Sequence, residues 1–70
     1  MEKIRVYTVE EFNKFLCEDA IIMVEKEKDT DILSWDYDAD VWASDAHGTI
    51  IDITEYIERK FSDGYKIYVK

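Results

Sequence analysis

The chain has 70 residues, a formal net charge of −8 and 47 % hydrophobic residues. This length fits one domain (residues 1–70), and the apolar content is too high for a disordered acidic tail. The negative charge disfavours direct binding to nucleic acid or anionic lipid. No apolar run approaches the roughly 20 residues of a membrane span, and the single cysteine excludes an internal disulfide.

The first half of the chain predicts a strand, a helix and a second strand. Alternation in residues 3–7 predicts the first strand, with Ile4 and Val6 on one face. Thr8 and Glu11 fit a capping box, in which each side chain binds the other residue's N–H, and an apolar stripe extends the helix to about residue 18. A continuous apolar run, residues 20–24, predicts a strand buried on both faces.

The second half predicts a turn starting at Asp29, further strands and a second helix. Alternation continues through residues 33–42, which fits either one strand or two strands with a bend near residues 38–40. A turn at 45–48, with Gly48 at positive φ, would join residues 41–44 to 49–51 as a hairpin.

Helix and strand signals then close the chain. Asp52 and Glu55 repeat the capping pattern for a helix that runs to about Ser62. Gly64 suits the end of that helix, and residues 65–70 alternate as a last strand.

This order of elements predicts the α+β class. We expect a mostly antiparallel sheet of four to five strands, with two helices packed on one face. The first and last strands flank the helices, so one parallel pairing would be allowed. A free Cys17 without an N-terminal apolar signal segment predicts a reducing, cytoplasmic compartment.

The acidic residues are concentrated in one block. Residues 29–58 hold nine acids and no Lys or Arg, whereas the other 40 residues hold eight acids and nine bases. Within the block Asp36, Asp38 and Asp40 alternate, so their carboxylates would repeat every ~6.6–6.8 Å along an extended strand. That interval is broadly similar to the phosphate spacing of a nucleic-acid strand. Such a row could occupy a basic groove built for phosphates.

The leading hypothesis is therefore a small, non-enzymatic inhibitor that mimics nucleic-acid phosphates. It would block a basic nucleic-acid-binding surface on a target protein, as viral or mobile-element inhibitors of the anti-CRISPR and anti-restriction type do, although the sequence carries no family motif. Trp42 is the expected apolar anchor. The predicted partner-binding residues are Asp29, Asp31, Asp36, Asp38, Asp40, Trp42, Asp45, Glu55 and Glu58.

The alternative hypothesis is a non-enzymatic structural or assembly module, such as a homodimer, whose acidity serves only solubility. Surplus aromatic side chains could supply a dimer face on this view. These aromatic residues are Tyr56, Phe61, Tyr65 and Tyr68.

Metal binding and catalysis are disfavoured. An EF-hand loop starting at Asp36 would need Gly and Glu where the chain has Val41 and His47. Ser44 and His47 are close in sequence, but a turn rarely gives the geometry of a hydrolytic triad. No cofactor is expected, because no phosphate-cradling loop and no zinc pattern occur.

Overall fold

The structure, a computed structural model that describes residues 3–70, contains six strands and two helices. The sheet order is β1-β6-β2-β3-β4-β5, and all five strand pairings are antiparallel. The α+β class is confirmed, with more strands than predicted. No helix in this part of the chain is long and apolar enough to cross a membrane. The elements are β1 (Ile4–Val6), α1 (Val9–Phe15), β2 (Ile22–Lys26), β3 (Asp29–Asp36), β4 (Val41–Ser44), β5 (Gly48–Ile50), α2 (Ile53–Ser62) and β6 (Lys66–Val69).

The core lies on one face of the sheet. In β2, Ile22 and Val24 are fully buried, whereas the preceding Ile21 is 42 % exposed. Phe12 of α1 and Ile57 of α2 join the same buried cluster, so both helices cover the same face. The prediction that the second strand is buried on both faces is therefore wrong, because an antiparallel sheet with helices on one side leaves its other face open.

Helix α1 begins at the predicted cap and ends earlier than predicted. Thr8 Oγ1 accepts a hydrogen bond from the Glu11 N–H at 3.1 Å, as expected. The Glu11 carboxylate, however, accepts from the Tyr7 N–H at 3.3 Å and not from that of Thr8. The helix ends at Phe15 because Leu16 is already extended, and this directs the chain towards β2 while the Leu16 side chain packs against the core.

Helix α2 follows its predicted signals at both ends. The Asp52 carboxylate accepts a hydrogen bond from the Glu55 N–H at 3.1 Å, as predicted, whereas the Glu55 carboxylate accepts from Arg59 and not from the Asp52 N–H. At the other end Gly64 has a φ of +88°, its N–H donates to the Phe61 carbonyl, and the next N–H donates to the Lys60 carbonyl. These two bonds form a Schellman motif, which satisfies carbonyls that the helix end would otherwise leave unpaired.

Of the turns predicted at 45–48 and from Asp29, the first is confirmed. Gly48, the last residue of the predicted turn at 45–48, has a φ of +77° and is already the first residue of β5. The turn predicted to start at Asp29 is wrong, because Asp29 already pairs with Lys26 in the β2–β3 ladder. Glu27 and the residue after it make that turn instead.

The one-sided core predicts a difference between two chemically identical substitutions. We expect Ile22→Val to lower the free energy of unfolding by about 0.5–1.5 kcal/mol, because Ile22 is fully buried in a central strand. Urea unfolding at constant pH, with an unchanged dependence on denaturant, measures this loss.

Ile51→Val removes the same carbon from a side chain that is 98 % exposed and serves as the control. It should change the free energy of unfolding by less than about 0.5 kcal/mol. Equal effects of the two substitutions would contradict the assignment of the core face.

Candidate functional site

The chain bends between β3 and β4, in a turn of residues 37–40. The Asp36 carboxylate accepts hydrogen bonds from the N–H groups of Asp38 at 3.0 Å and Ala39 at 3.1 Å, and the Asp36 carbonyl accepts from the Asp40 N–H at 2.7 Å. Asp40 has a φ of +60°, which aspartate tolerates better than most residues. Only the first of the three alternating aspartates therefore lies in a strand, and the straight carboxylate row expected from the sequence is wrong.

The turn instead gathers carboxylates from two segments of the chain. The Tyr37 hydroxyl donates a hydrogen bond to the Asp19 carboxylate at 2.9 Å and so ties the turn to the loop between α1 and β2. This hydrogen bond raises the pKa of Tyr37, so the phenol remains a neutral donor. We use the name acidic turn region for Glu18, Asp19, Asp36, Asp38 and Asp40.

All five carboxylic residues of the acidic turn region are exposed. Within residues 3–70 the ion pairs are Lys3–Glu25 and Glu55–Arg59, so none of the five has a basic partner there. The same part of the chain holds no group of three or more His, Cys, Asp or Glu residues arranged to hold a metal ion. Glu18 and Asp19 could not be assigned to this region from the sequence, since only the contacts of the Tyr37 hydroxyl connect their loop to the turn.

Asp31, a predicted partner contact, is engaged inside the protein. Its carboxylate accepts hydrogen bonds from the Ser44 hydroxyl at 2.5 Å, the Ala46 N–H at 3.1 Å and the Tyr56 hydroxyl at 3.2 Å. Burial acts to raise the pKa of Asp31, but the hydrogen bonds outweigh burial and leave that pKa below its ordinary value. Asp31 therefore connects β3 to the β4–β5 turn and to α2.

Ser44 holds the β4–β5 turn in place. Its hydroxyl oxygen accepts from the N–H groups of Ala46 at 3.2 Å and His47 at 3.0 Å. The His47 ring lies at an angle to the Tyr56 ring, with centroids 6.5 Å apart. Burial first, and then the charge of Asp31, raise the pKa of Tyr56 to about 12. The Ser44 hydroxyl thus donates to a carboxylate, and not to an imidazole as a serine nucleophile would.

Trp42 is buried and is not available as the predicted apolar anchor. It is only 7 % exposed, and its ring meets the Trp35 ring edge-to-face at a centroid distance of 5.6 Å. The turn pairs these two residues across β3 and β4 and places both on the core side with Leu33. Tyr37, which is 64 % exposed, is the aromatic residue that lies among the acidic side chains.

The remaining predicted contacts lie at separate places on the fold. Asp29 begins β3 opposite a lysine of β2, and Asp45 follows the end of β4. On α2, Glu55 forms an ion pair with Arg59 at 2.8 Å, and Glu58 is exposed. The acidic block of the sequence therefore does not form one continuous surface.

Comparison with known proteins gives no relative for this chain. No protein-family model, no curated protein and no solved structure matches it. Its function is therefore inferred from its own residues and their geometry.

The Asp31 network predicts a pH-dependent loss of stability. We expect Asp31→Asn to lower the free energy of unfolding by about 1–2 kcal/mol at pH 7, because hydrogen bonds to a charged acceptor are lost at a partly exposed site. The pKa of Asp31 is lower in the folded than in the unfolded chain, so its contribution is present above the ordinary value of 3.8 and is lost as the pH falls through the folded value. Urea unfolding at neutral and at strongly acidic pH measures both effects.

Asp29→Asn is the matched control, because Asp29 lies on the same strand but is exposed. It should change the free energy of unfolding by less than about 0.5 kcal/mol at either pH. A loss in Asp31→Asn that stays the same in acid would show that the carboxylate charge does not carry the effect.

Proposed function

We propose that this protein is a small acidic interaction protein that binds a basic nucleic-acid-binding surface on a target protein and keeps nucleic acid from it. The observation that carries the proposal is the acidic turn region, where the hydrogen bond from Tyr37 to Asp19 joins two segments that carry five exposed carboxylic residues without a basic partner in residues 3–70. Asp36 and Asp19 accept hydrogen bonds that hold the turn, but like charges gathered in this way also repel each other. Lys and Arg side chains of a partner would relieve that repulsion.

The chemistry of the acidic turn region suits a surface rich in arginine. Carboxylates accept paired hydrogen bonds from a guanidinium group, much as phosphates do. Tyr37 adds an exposed aromatic ring among these carboxylates, on which a cation can stack. A groove that normally holds phosphates and stacked bases offers both kinds of complementary group.

The distribution of basic residues supports an oriented approach to such a target. Several of them lie on or beside β1 and β6, which β2 separates from β3 and its turn, although Lys70 pairs with Ile21 close to Asp19. A basic target would attract the acidic side first, so association should be fast and should weaken as salt rises. The basic residues on β1, on β6 or directly beside them are Lys3, Arg5, Lys66 and Lys70.

A second function, that of an assembly module, is favoured by a different observation. The sheet face opposite the helices is uncovered, and Ile21 and Ile32 are exposed on it. On this alternative the acidic residues serve only solubility.

We expect Asp38→Asn/Asp40→Asn to lose affinity for the target about ten-fold or more, because two exposed charges of the binding surface disappear. Asp36 is left unchanged since its carboxylate holds the turn, and asparagine tolerates the positive φ of Asp40. The target is captured from a cell extract on the immobilised protein, eluted with a salt gradient and purified. Its affinity for each variant and its competition with duplex DNA or RNA are then measured.

Glu10→Gln/Glu27→Gln removes the same charge from two exposed sites outside the acidic turn region and should bind as the native protein does. Three results would contradict the proposal: equal binding by the two double variants, an affinity that salt does not change, or a target that binds nucleic acid and this protein simultaneously. If Asp38→Asn/Asp40→Asn binds the captured target as tightly as the native protein does and has a higher free energy of unfolding, the assembly module is favoured.

A further inference from the structure

The sheet face opposite the helices, here called the open sheet face, is apolar at its centre. Tyr68, Met23 and Ile32 are neighbours across β6, β2 and β3 in the strand register. Ile32 is 38 % exposed, Ile21, two residues before Met23, is 42 % exposed, and Met23 and Tyr68 are half-buried. Antiparallel sheets normally carry polar side chains on a face that stays in water. A contiguous apolar patch at this place therefore indicates a surface that another protein covers.

The two sides of the open sheet face carry charges of opposite sign. Asp36 and Asp45 lie on the side formed by β3, β4 and β5, by alternation along those strands. On the other side the Lys3 ammonium lies 4.4 Å from the centre of the Tyr68 ring and 3.6 Å from the Glu25 carboxylate. The basic residues of that side, on or beside β1 and β6, are Lys3, Arg5, Lys66 and Lys70.

The order of the strands makes this charge pattern self-complementary. The boundary between β2 and β3 is the middle of the sheet, with three strands on each side. A twofold axis parallel to the strands and above this boundary would turn the basic side of one copy onto the acidic side of the other. A twofold axis across the strands would instead place like charges against each other, which is unfavourable.

We propose that the open sheet face is the interface of a symmetric homodimer whose twofold axis runs parallel to the strands, above the boundary between β2 and β3. Met23 and Ile32 of each copy pack against Ile32 and Met23 of the other at the centre. Arg5 and Asp45 lie at opposite ends of one row of residues that crosses the strands. In this row Arg5 pairs with Tyr68, which pairs with Met23. Met23 pairs in turn with Ile32, whose carbonyl accepts from the Asp45 N–H. The axis therefore places Tyr68 of one copy opposite Asp45 of the other and Arg5 one strand further out, ~4.8 Å to the side, which an arginine side chain can span.

The size of the molecule is compatible with this interface. Its principal extents of 30 × 22 × 22 Å give a sheet face on the order of several hundred Å² per copy, approaching the ~800 Å² per partner of a standard interface. A chain of 70 residues forms a core that typically contributes only about 3–5 kcal/mol. Burial of the open sheet face in a dimer would add to that stability.

Ile32→Glu tests the centre of the interface, because the axis would bring the two new carboxylates of the dimer close together. Sedimentation equilibrium over a wide range of concentrations should give the native protein twice the 8.3 kDa mass of the chain and Ile32→Glu the mass of one chain. Phe15→Glu places the same acid at an apolar side chain of similar exposure (42 %) on α1 and should remain dimeric. Circular dichroism checks that all three proteins are folded.

Charge reversal tests the direction of the axis. Arg5→Glu and Asp45→Lys should each weaken the dimer by about ten-fold, and the double variant should recover most of that loss, because reversal of both partners restores the attraction. A native protein that is monomeric at every concentration, or a dimer that survives Ile32→Glu, would overturn the proposal. A double variant weaker than either single variant would overturn it as well.

Discussion

The hydrogen bonds accepted by the Asp36 carboxylate decide where the charges and the tryptophans of this protein lie. By binding the N–H groups of Asp38 and Ala39, this side chain turns the chain back on itself after β3. The turn sets the register in which Trp35 faces Trp42, and a slip of one residue would move every following side chain to the other face of the sheet. This carboxylate thus acts with the β3–β4 pairing and the packing of the core to keep both tryptophans on the core side and the acids of the turn in water.

The sequence predicted those elements whose signals act over a few residues. The caps at Thr8 and Asp52 and the helix end at Gly64 depend on contacts within one helical turn, and all three are present. The alternation of apolar and polar residues from Leu33 to Trp42 could not reveal the bend. The alternation continues without a break through residues 37–40 of the sequence, although the chain leaves the strand there and reverses direction. The approach of Asp19 to the turn was equally hidden, since nothing local connects the two segments.

A carboxylate that looks available in the sequence can be engaged by the fold. Asp31 is held by a hydroxyl from β4, a hydroxyl from α2 and a backbone N–H, and Glu55 is paired with Arg59 along its own helix. Both carboxylates therefore already have partners within the protein, and a target would have to compete with those partners for them. The charge that remains free for a partner is more localised than the net charge of −8 suggests, and it is centred on the turn after β3.

The two proposed surfaces share only Asp36, because the acidic turn region lies at an end of the strands and the dimer interface on the face of the sheet. A twofold axis parallel to the strands exchanges the two sides of the sheet but keeps the direction of each strand. The acidic turn regions of two copies would then lie at the same end of the dimer, and the attraction between the basic side of each copy and the acidic side of the other has to outweigh the repulsion between these regions. A dimer could thus present ten exposed carboxylic residues to one basic surface or to two sites of one target, and binding at two linked sites raises the apparent affinity well above that of one. Dimerisation of this kind would strengthen inhibition without any new contact in either copy, so a variant that separates the copies should bind the same target more weakly even though its acidic turn region is intact.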